Sequence, residues 1–456
     1  MSPITSPHPS DPPRVTWGAF TSGVKLVLMC AALLSPRGGT PDVLVTADEI
    51  ADAGRLLASG SGPLAVDTER ASAYRYDDRA FLVQLRREGA GTILVDPETM
   101  PGAIAEAGLA DALNPLDWVV HAAVSDLPCL ADLGLYPGNL MDTEIAGRLL
   151  GLPKVNLAAM TEELLGVALA KGHGREDWST RPLPADWLDY AALDVELLVE
   201  LSDALSTALA ELDRIDWLRQ ESEAVRLAHA PGTHAADDGE KWRSMRGVGK
   251  LKRPEQLVAG RELWLARDRM ARERDVSPVS VLPHDVLALI AEKLPRTESE
   301  LTALKGFPRR RRGAAKLWMG ELRAALALPR EEWPARERPK GKPRPHHRTW
   351  EERAPEAAAV LEALKHGHEL LAEDLAIAPE TLFRPSDLRE VAWIMSGAGG
   401  GAGGSRAGSR DDVAVPRTDG EVRALLAKLG ARPWQVDVMA GLVSEAVLLP
   451  RRQPLG

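Results

Sequence analysis

Leu64-Ala65-Val66-Asp67-Thr68-Glu69 is the stretch from which the fold of this chain is read. Three apolar residues behind Gly62-Pro63 mark a strand. The Asp and Glu that follow stand two positions apart, so both carboxylates project from one face of a sheet. Side-by-side like charges repel, and both residue types disfavour strands. A divalent cation between them removes that penalty; a solvent-facing strand is the plainer explanation of the pattern taken alone. Phe81-Leu82-Val83-Gln84-Leu85 and Thr92-Ile93-Leu94-Val95 follow with turn residues between them, and the three runs read as neighbouring strands.

Trp118-Val119-Val120 reads as another strand, and a helix through Leu127, Leu130 and Leu133 comes after it. Alternation of this kind is an α/β layout. Asp126 opens that helix, a position where Asp commonly serves as a cap. A long helix is expected from Ala185 to about Leu212, and on it Tyr190 and Asp194 are four apart and share a face. A phenol beside a carboxylate suits a site that positions water near a metal. A core tyrosine with a solvated aspartate fits the same spacing.

In combination the three segments are specific. Asp67-x-Glu69, then Asp126, then Tyr190-x-x-x-Asp194 resembles the DEDD exonuclease superfamily in its tyrosine-bearing branch, and most closely the ribonuclease D family. Gln84, His121, Asp142-Thr143 and Asp177-Trp178-Ser179-Thr180-Arg181-Pro182-Leu183 add to the match, which spans about residues 41–215. The resemblance implies an α/β exonuclease domain of the ribonuclease H-like (DnaQ-like) fold, with a mixed central sheet. It also implies a metal-dependent 3′→5′ exoribonuclease releasing nucleoside 5′-monophosphates, with structured RNA 3′ ends such as transfer RNA precursors as partners. Asp67, Glu69, Asp126 and Asp194 would ligate two Mg²⁺ or Mn²⁺ ions, and Tyr190 would orient the attacking water. Two positions depart from the pattern: Arg70 stands where many relatives carry an aromatic residue, and Ser125 where they carry Glu or Gln. Gln84 and His121 are expected to support the site, and Lys171, His173 and Arg181 to lie within reach of phosphates.

The chain of 456 residues is long enough for several domains. Residues 42–240 hold 14 Lys and Arg against 36 Asp and Glu, and residues 241–345 hold 26 against 13. An acidic front and a basic middle point to separate tasks, cation holding and polyanion holding. Residues 254–333 are expected to be helical, and Leu257, Arg261, Leu263, Trp264, Arg267 and Met270, followed later by Leu301 to Phe307, resemble the HRDC domain. There Lys305, Arg309, Arg310, Arg311 and Arg312 are positioned to neutralise phosphates without reading sequence.

Residues 350–449 read as a second HRDC-like helical domain interrupted by a Gly-rich insertion at 397–410. Linkers are expected at 228–253 and 334–349, and a poorly ordered extension at 1–40. The apolar run at 24–34 is too short for a bilayer, which takes ~20 residues. Cys30 and Cys129 are too few for a disulfide framework, and the expected location is the cytoplasm. The alternatives carried from sequence are a DNA 3′→5′ exonuclease of the same superfamily and a catalytically idle nucleic-acid-binding scaffold.

Overall fold

The computed structural model describes residues 32–170, 172–233, 240–336, 344–398 and 414–448. Its centre is a six-stranded sheet in the order β2 (Val43–Leu44), β5 (Gly91–Val95), β4 (Ala80–Glu88), β3 (Ser61–Arg70), β6 (Asp117–Val120), β7 (Asn139–Asp142). The three runs read as neighbours pair antiparallel, β3 with β4 and β4 with β5, while β2–β5, β3–β6 and β6–β7 are parallel. The sheet is therefore mixed, as expected.

Alternation along β3 assigns its two faces. Leu64 and Val66 point into a core shared with Ile50 and Leu57 of the Ala47–Ser59 helix. Ala65 points the other way, into a core with Leu201 and Leu205. With a period of two, Asp67 and Glu69 stand on the Ala65 face. The expected long helix covers that face as two, Ala185–Glu196 and Leu198–Glu211, separated at Leu197 with φ −112° and ψ 7°. The apolar pattern runs unbroken through this joint, which is why the sequence reads as one helix.

Residues ahead of the expected start at 41 also contact this domain. Ala32–Leu33 forms β1, paired in parallel with β8 (Ala168–Leu169), and Thr40 donates to Asp189 at 2.5 Å. Residues 1–31 lie outside the described residues. Part of the expected linker at 228–253 packs against the helical middle domain. Trp242 is fully buried in the next domain's core with Met245 and Leu251 beside it. These residues lie in short 3-10 turns, which lack the helical periodicity a sequence reading looks for.

The basic middle is helical, built on the Pro254–Arg274 helix with His284–Lys293 and Ala314–Ala327 against it. The C-terminal helices Pro355–Asp374, Pro385–Met395, Asp419–Lys428 and Pro433–Leu448 share one continuous core with the sheet domain, including Leu149, Leu205, Trp350 and Trp434. Trp217 stacks on Trp434 at 4.3 Å, and Arg214 donates to the carbonyls of Leu149 and Leu375, one on each side of the junction. The Gly-rich insertion falls largely outside the described residues. Among the described residues, no helix is long and apolar enough to cross a membrane.

Gly151 marks the closest approach across this junction. Its φ is +75°, and an added Cβ would collide with the Ala376 carbonyl. Gly151→Ala is expected to lower unfolding stability by ~2 kcal/mol or more, from αL strain plus overpacking. Denaturant titration measures this, and an unchanged midpoint with unchanged slope contradicts it.

Candidate active site

β3 delivers two carboxylates because its C-terminal end emerges between two partner strands. Asp67 pairs across from Gln84 and Glu69 from Leu82, and a bulge between Glu69 and Arg70 ends the regular pairing. Bulges re-aim side chains at the rims of functional sites. The Ala185–Glu196 helix lies over this end and brings Asp194 down onto the pair. Asp67, Glu69 and Asp194 each offer an oxygen within 4.8 Å of the others.

Asp126 arrives by a different route. β6 runs into Ala122, held at φ +58°, then a 3-10 turn at Ala123–Ser125. The turn is fastened by Asp142, whose carboxylate accepts from the backbone N–H of Ala122 at 3.1 Å and of Ala123 at 2.8 Å. The same carboxylate caps the Thr143–Leu149 helix. Asp126 itself makes no side-chain cap on its own helix. Its carboxylate instead accepts from the Thr68 hydroxyl at 2.5 Å, between the two acids of β3. Asp126 thus stands beside the three-carboxylate group, close enough for its charge to raise the Asp67 carboxyl, but outside that group.

Electrostatics record the crowding. Burial first, then the charges of Asp126 and Asp194, push the Asp67 carboxyl well above the usual range. Burial and then Asp67 do the same to Glu69. Burial lifts Asp194 to about 7 and Asp126 to about 6. Arg70 is the nearby counter-charge, 2.8 Å from Asp78 and 3.9 Å from Asp126. The Tyr190 phenol is pushed far up by burial and by Asp194, so it is a neutral O–H. It lies beside Asp194 and packs edge-on against His173, with ring centroids 5.9 Å apart.

The donor set fits hard divalent cations. Carboxylate oxygens at 2.0–2.6 Å from one ion lie up to ~4–5 Å apart across it, which is the spread found. Such ions also supply the positive charge that the acids lack.

The remaining expected residues divide. Gln84 is fully buried opposite Asp67, and neither amide atom has a protein partner. His121 contacts the Thr143 hydroxyl at 2.9 Å, and burial lowers it to about 4, so it is a neutral support. Arg181 is engaged within the protein. It donates to both oxygens of buried Asp96, at 2.6 and 3.0 Å, and to the carbonyls of Phe81, Trp178 and Thr180. Lys171 lies outside the described residues. Lys305, Arg309, Arg310, Arg311 and Arg312 are all exposed, with Arg311 bonded to the Ser280 carbonyl. Thr68 and Asp96 were not singled out by sequence; a Thr inside Asp-x-Glu was the available signal for the first.

A mixed sheet carrying three gathered carboxylates, with a helix-borne Tyr beside them, defines the class as a 3′-5′ exonuclease domain. The family model described as 3'-5' exonuclease matches residues 43–210, and the HRDC domain model matches 256–314. The C-terminal helices match the model for a 3' to 5' exonuclease C-terminal domain at 343–447, where a second HRDC-like unit was expected. Ribonuclease D of Pseudomonas paraeruginosa is 31% identical over 324 residues, covering 70% of this chain and 81% of that protein. Ribonuclease D of Xanthomonas oryzae is 34% identical over 53% of this chain and 65% of its own length. The chain belongs to the ribonuclease D family.

Among solved structures, a protein from Bifidobacterium adolescentis has 33% identity and a TM-score of 0.75, over 92% of this chain and 99% of that one. Escherichia coli RNase D shares the fold at 22% identity and a TM-score of 0.63, over 89% and 98%.

Two outcomes follow. Raised carboxyl pKa values mean that the native state holds protons the unfolded chain releases, so stability falls as pH rises from the ordinary carboxylate range toward 7. In chelator, thermal unfolding is expected several degrees lower at pH 8 than at pH 5.5, with Mg²⁺ restoring it at pH 8; a flat profile contradicts the crowding. Arg181→Ala is expected to cost ~3 kcal/mol by removing the cationic partner of buried Asp96, which is left with its hydrogen bonds from Glu98 and Thr99. RNA affinity per folded molecule, read by filter binding, is expected to stay unchanged.

Proposed function

We propose that this protein is a metal-dependent 3′→5′ exoribonuclease that shortens structured RNA, including transfer RNA precursors, from the 3′ end. The observation that carries this reading is the gathering of Asp67, Glu69 and Asp194 within 4.8 Å beside Tyr190, in a chain of the ribonuclease D family. Asp67, Glu69 and Asp194, with Asp126 alongside, would hold two Mg²⁺ or Mn²⁺ ions. Bound ions supply activation of water and stabilisation of charge on the departing 3′ oxygen.

The chain's own groups do the positioning. The neutral Tyr190 phenol orients the attacking water by hydrogen bonding; a phenol pushed this far up is a poor base. Arg70 sits at the rim beside Asp126 and holds the terminal phosphate or stacks on the base. Lys305, Arg309, Arg310 and Arg312 offer exposed charge to the body of the RNA. The reaction yields a nucleoside 5′-monophosphate and a chain shorter by one nucleotide. We place this activity in the cytoplasm, in keeping with a buried, reduced Cys129.

The test is degradation of labelled RNA and matched DNA with Mg²⁺ or Mn²⁺, with and without chelator. Stepwise shortening of RNA, abolished by chelator, is expected. Asp67→Ala is expected to lower kcat by at least ~10³-fold. Tyr190→Phe is expected to lower it ~10²-fold with metal affinity kept. Shortening of DNA alone would move the reading to the DNA exonuclease, and RNA retained at full length would favour the scaffold.

A further inference from the structure

The helical middle domain touches the sheet domain at the loop of residues 71–79, which adjoins the active site. Residues 71–79 link β3 to β4 directly after Glu69-Arg70. Asp275 ends the Pro254–Arg274 helix in the αL conformation, φ +47°. Its carboxylate accepts from Arg79 at 2.9 and 3.2 Å and from Arg75 at 3.2 Å. Tyr76 lies against the middle domain's core, donates to Asp268 at 2.9 Å and is covered by the Arg272 guanidinium at 5.2 Å. Ser277 N–H donates to the Tyr74 carbonyl at 3.1 Å.

From this anchor two routes lead to the reacting groups, one along the backbone from Arg79 to its chain neighbour Asp78 and one through side-chain contacts of Arg75 and Tyr74. Arg79, held by Asp275, flanks Asp78, and Asp78 is the partner that fixes Arg70 at 2.8 Å, next to Asp126. Arg75, also held by Asp275, donates to Ser179 at 2.7 Å, and Tyr74 donates to the Arg175 carbonyl at 3.2 Å. Those two residues belong to segment 172–180, which lies over Tyr190. His173 packs on the phenol ring, and a Cβ on Gly174 would come 3.3 Å from its hydroxyl.

We propose that Asp275 of the helical middle domain is a positioning residue for catalysis, clamping the 71–79 and 172–180 loops so that Arg70 and Tyr190 are set for the transition state. The middle domain then acts on turnover itself, besides offering basic surface to RNA. This rests on the exoribonuclease reading given above. A carboxylate at this point is suited to the task because its two oxygens bond two arginines of one loop at once. Each of those arginines also has a second partner, Ser179 for Arg75 and Asp77 and Glu98 for Arg79.

The discriminating substrate is a 5′-phosphorylated diadenylate, which has no RNA body for the exposed basic residues to hold. Full-length protein is compared with Asp275→Asn, which keeps the αL-tolerant shape and removes the charge, and with Tyr76→Phe, which removes the phenol's bonds to Asp268 and Arg272. Asp275→Asn is expected to lower kcat at saturating diadenylate about tenfold, and long RNA by the same factor. Its binding of long RNA in Ca²⁺ is expected to match the unmodified protein. Tyr76→Phe is expected to lower kcat several-fold with an unchanged thermal midpoint.

Unchanged diadenylate kcat in both Asp275→Asn and Tyr76→Phe overturns the clamp. If Asp275→Asn fails to fold, the Tyr76→Phe result decides alone. An unmodified protein that degrades neither substrate overturns the exoribonuclease reading, and the clamp with it.

Discussion

Three carboxylates held within 4.8 Å of one another, with a fourth a hydrogen bond away, repel in any medium and most strongly where water is scarce. Among the described residues Arg70 is the nearby cation, and it is tied to Asp78. The acids respond by taking up protons at pH values where carboxylates are ordinarily charged. A fold that concentrates this unfavourable charge has to be braced elsewhere. The elements that deliver the acids are accordingly among the most deeply packed in the molecule, with Leu64, Ala65 and Val66 fully buried behind Asp67.

The bracing is hierarchical. The sheet fixes Asp67 and Glu69 by register. Asp142 fixes the turn that carries Asp126 by accepting four backbone N–H groups. The helix over the sheet fixes Tyr190 and Asp194. Behind that helix, the core runs without interruption into the C-terminal helices through Arg214 and the Trp217–Trp434 stack. On the other side the middle domain grips the β3–β4 loop through Asp275 and Asp268. The parts outside the exonuclease domain therefore hold two sides of the site in place.

Much of this was legible in the sequence because it rests on short-range periodicity. A period of two put Asp67 and Glu69 on one face, and a spacing of four put Tyr190 and Asp194 together; both hold in the structure. The mixed sheet and the helical middle domain were legible for the same reason. What escaped was set by tertiary contact. The break at Leu197 leaves the apolar pattern intact. Trp242 looks like linker because its turn has no helical period. Arg181 has the composition of a phosphate ligand, and only the fold reveals Asp96 beneath it. Asp275 reads as an ordinary helix end, and its two arginine partners lie some 200 residues away in the chain.

The most direct measurement of the carboxylate site is Mn²⁺ titration by calorimetry at pH 6, in buffers of different ionisation enthalpy. Acids protonated by crowding must release protons when a cation replaces them. Binding with net proton release, weakened by Asp67→Asn and by Asp194→Asn, is the predicted result. Binding that releases no protons, or that is indifferent to both substitutions, would contradict the account.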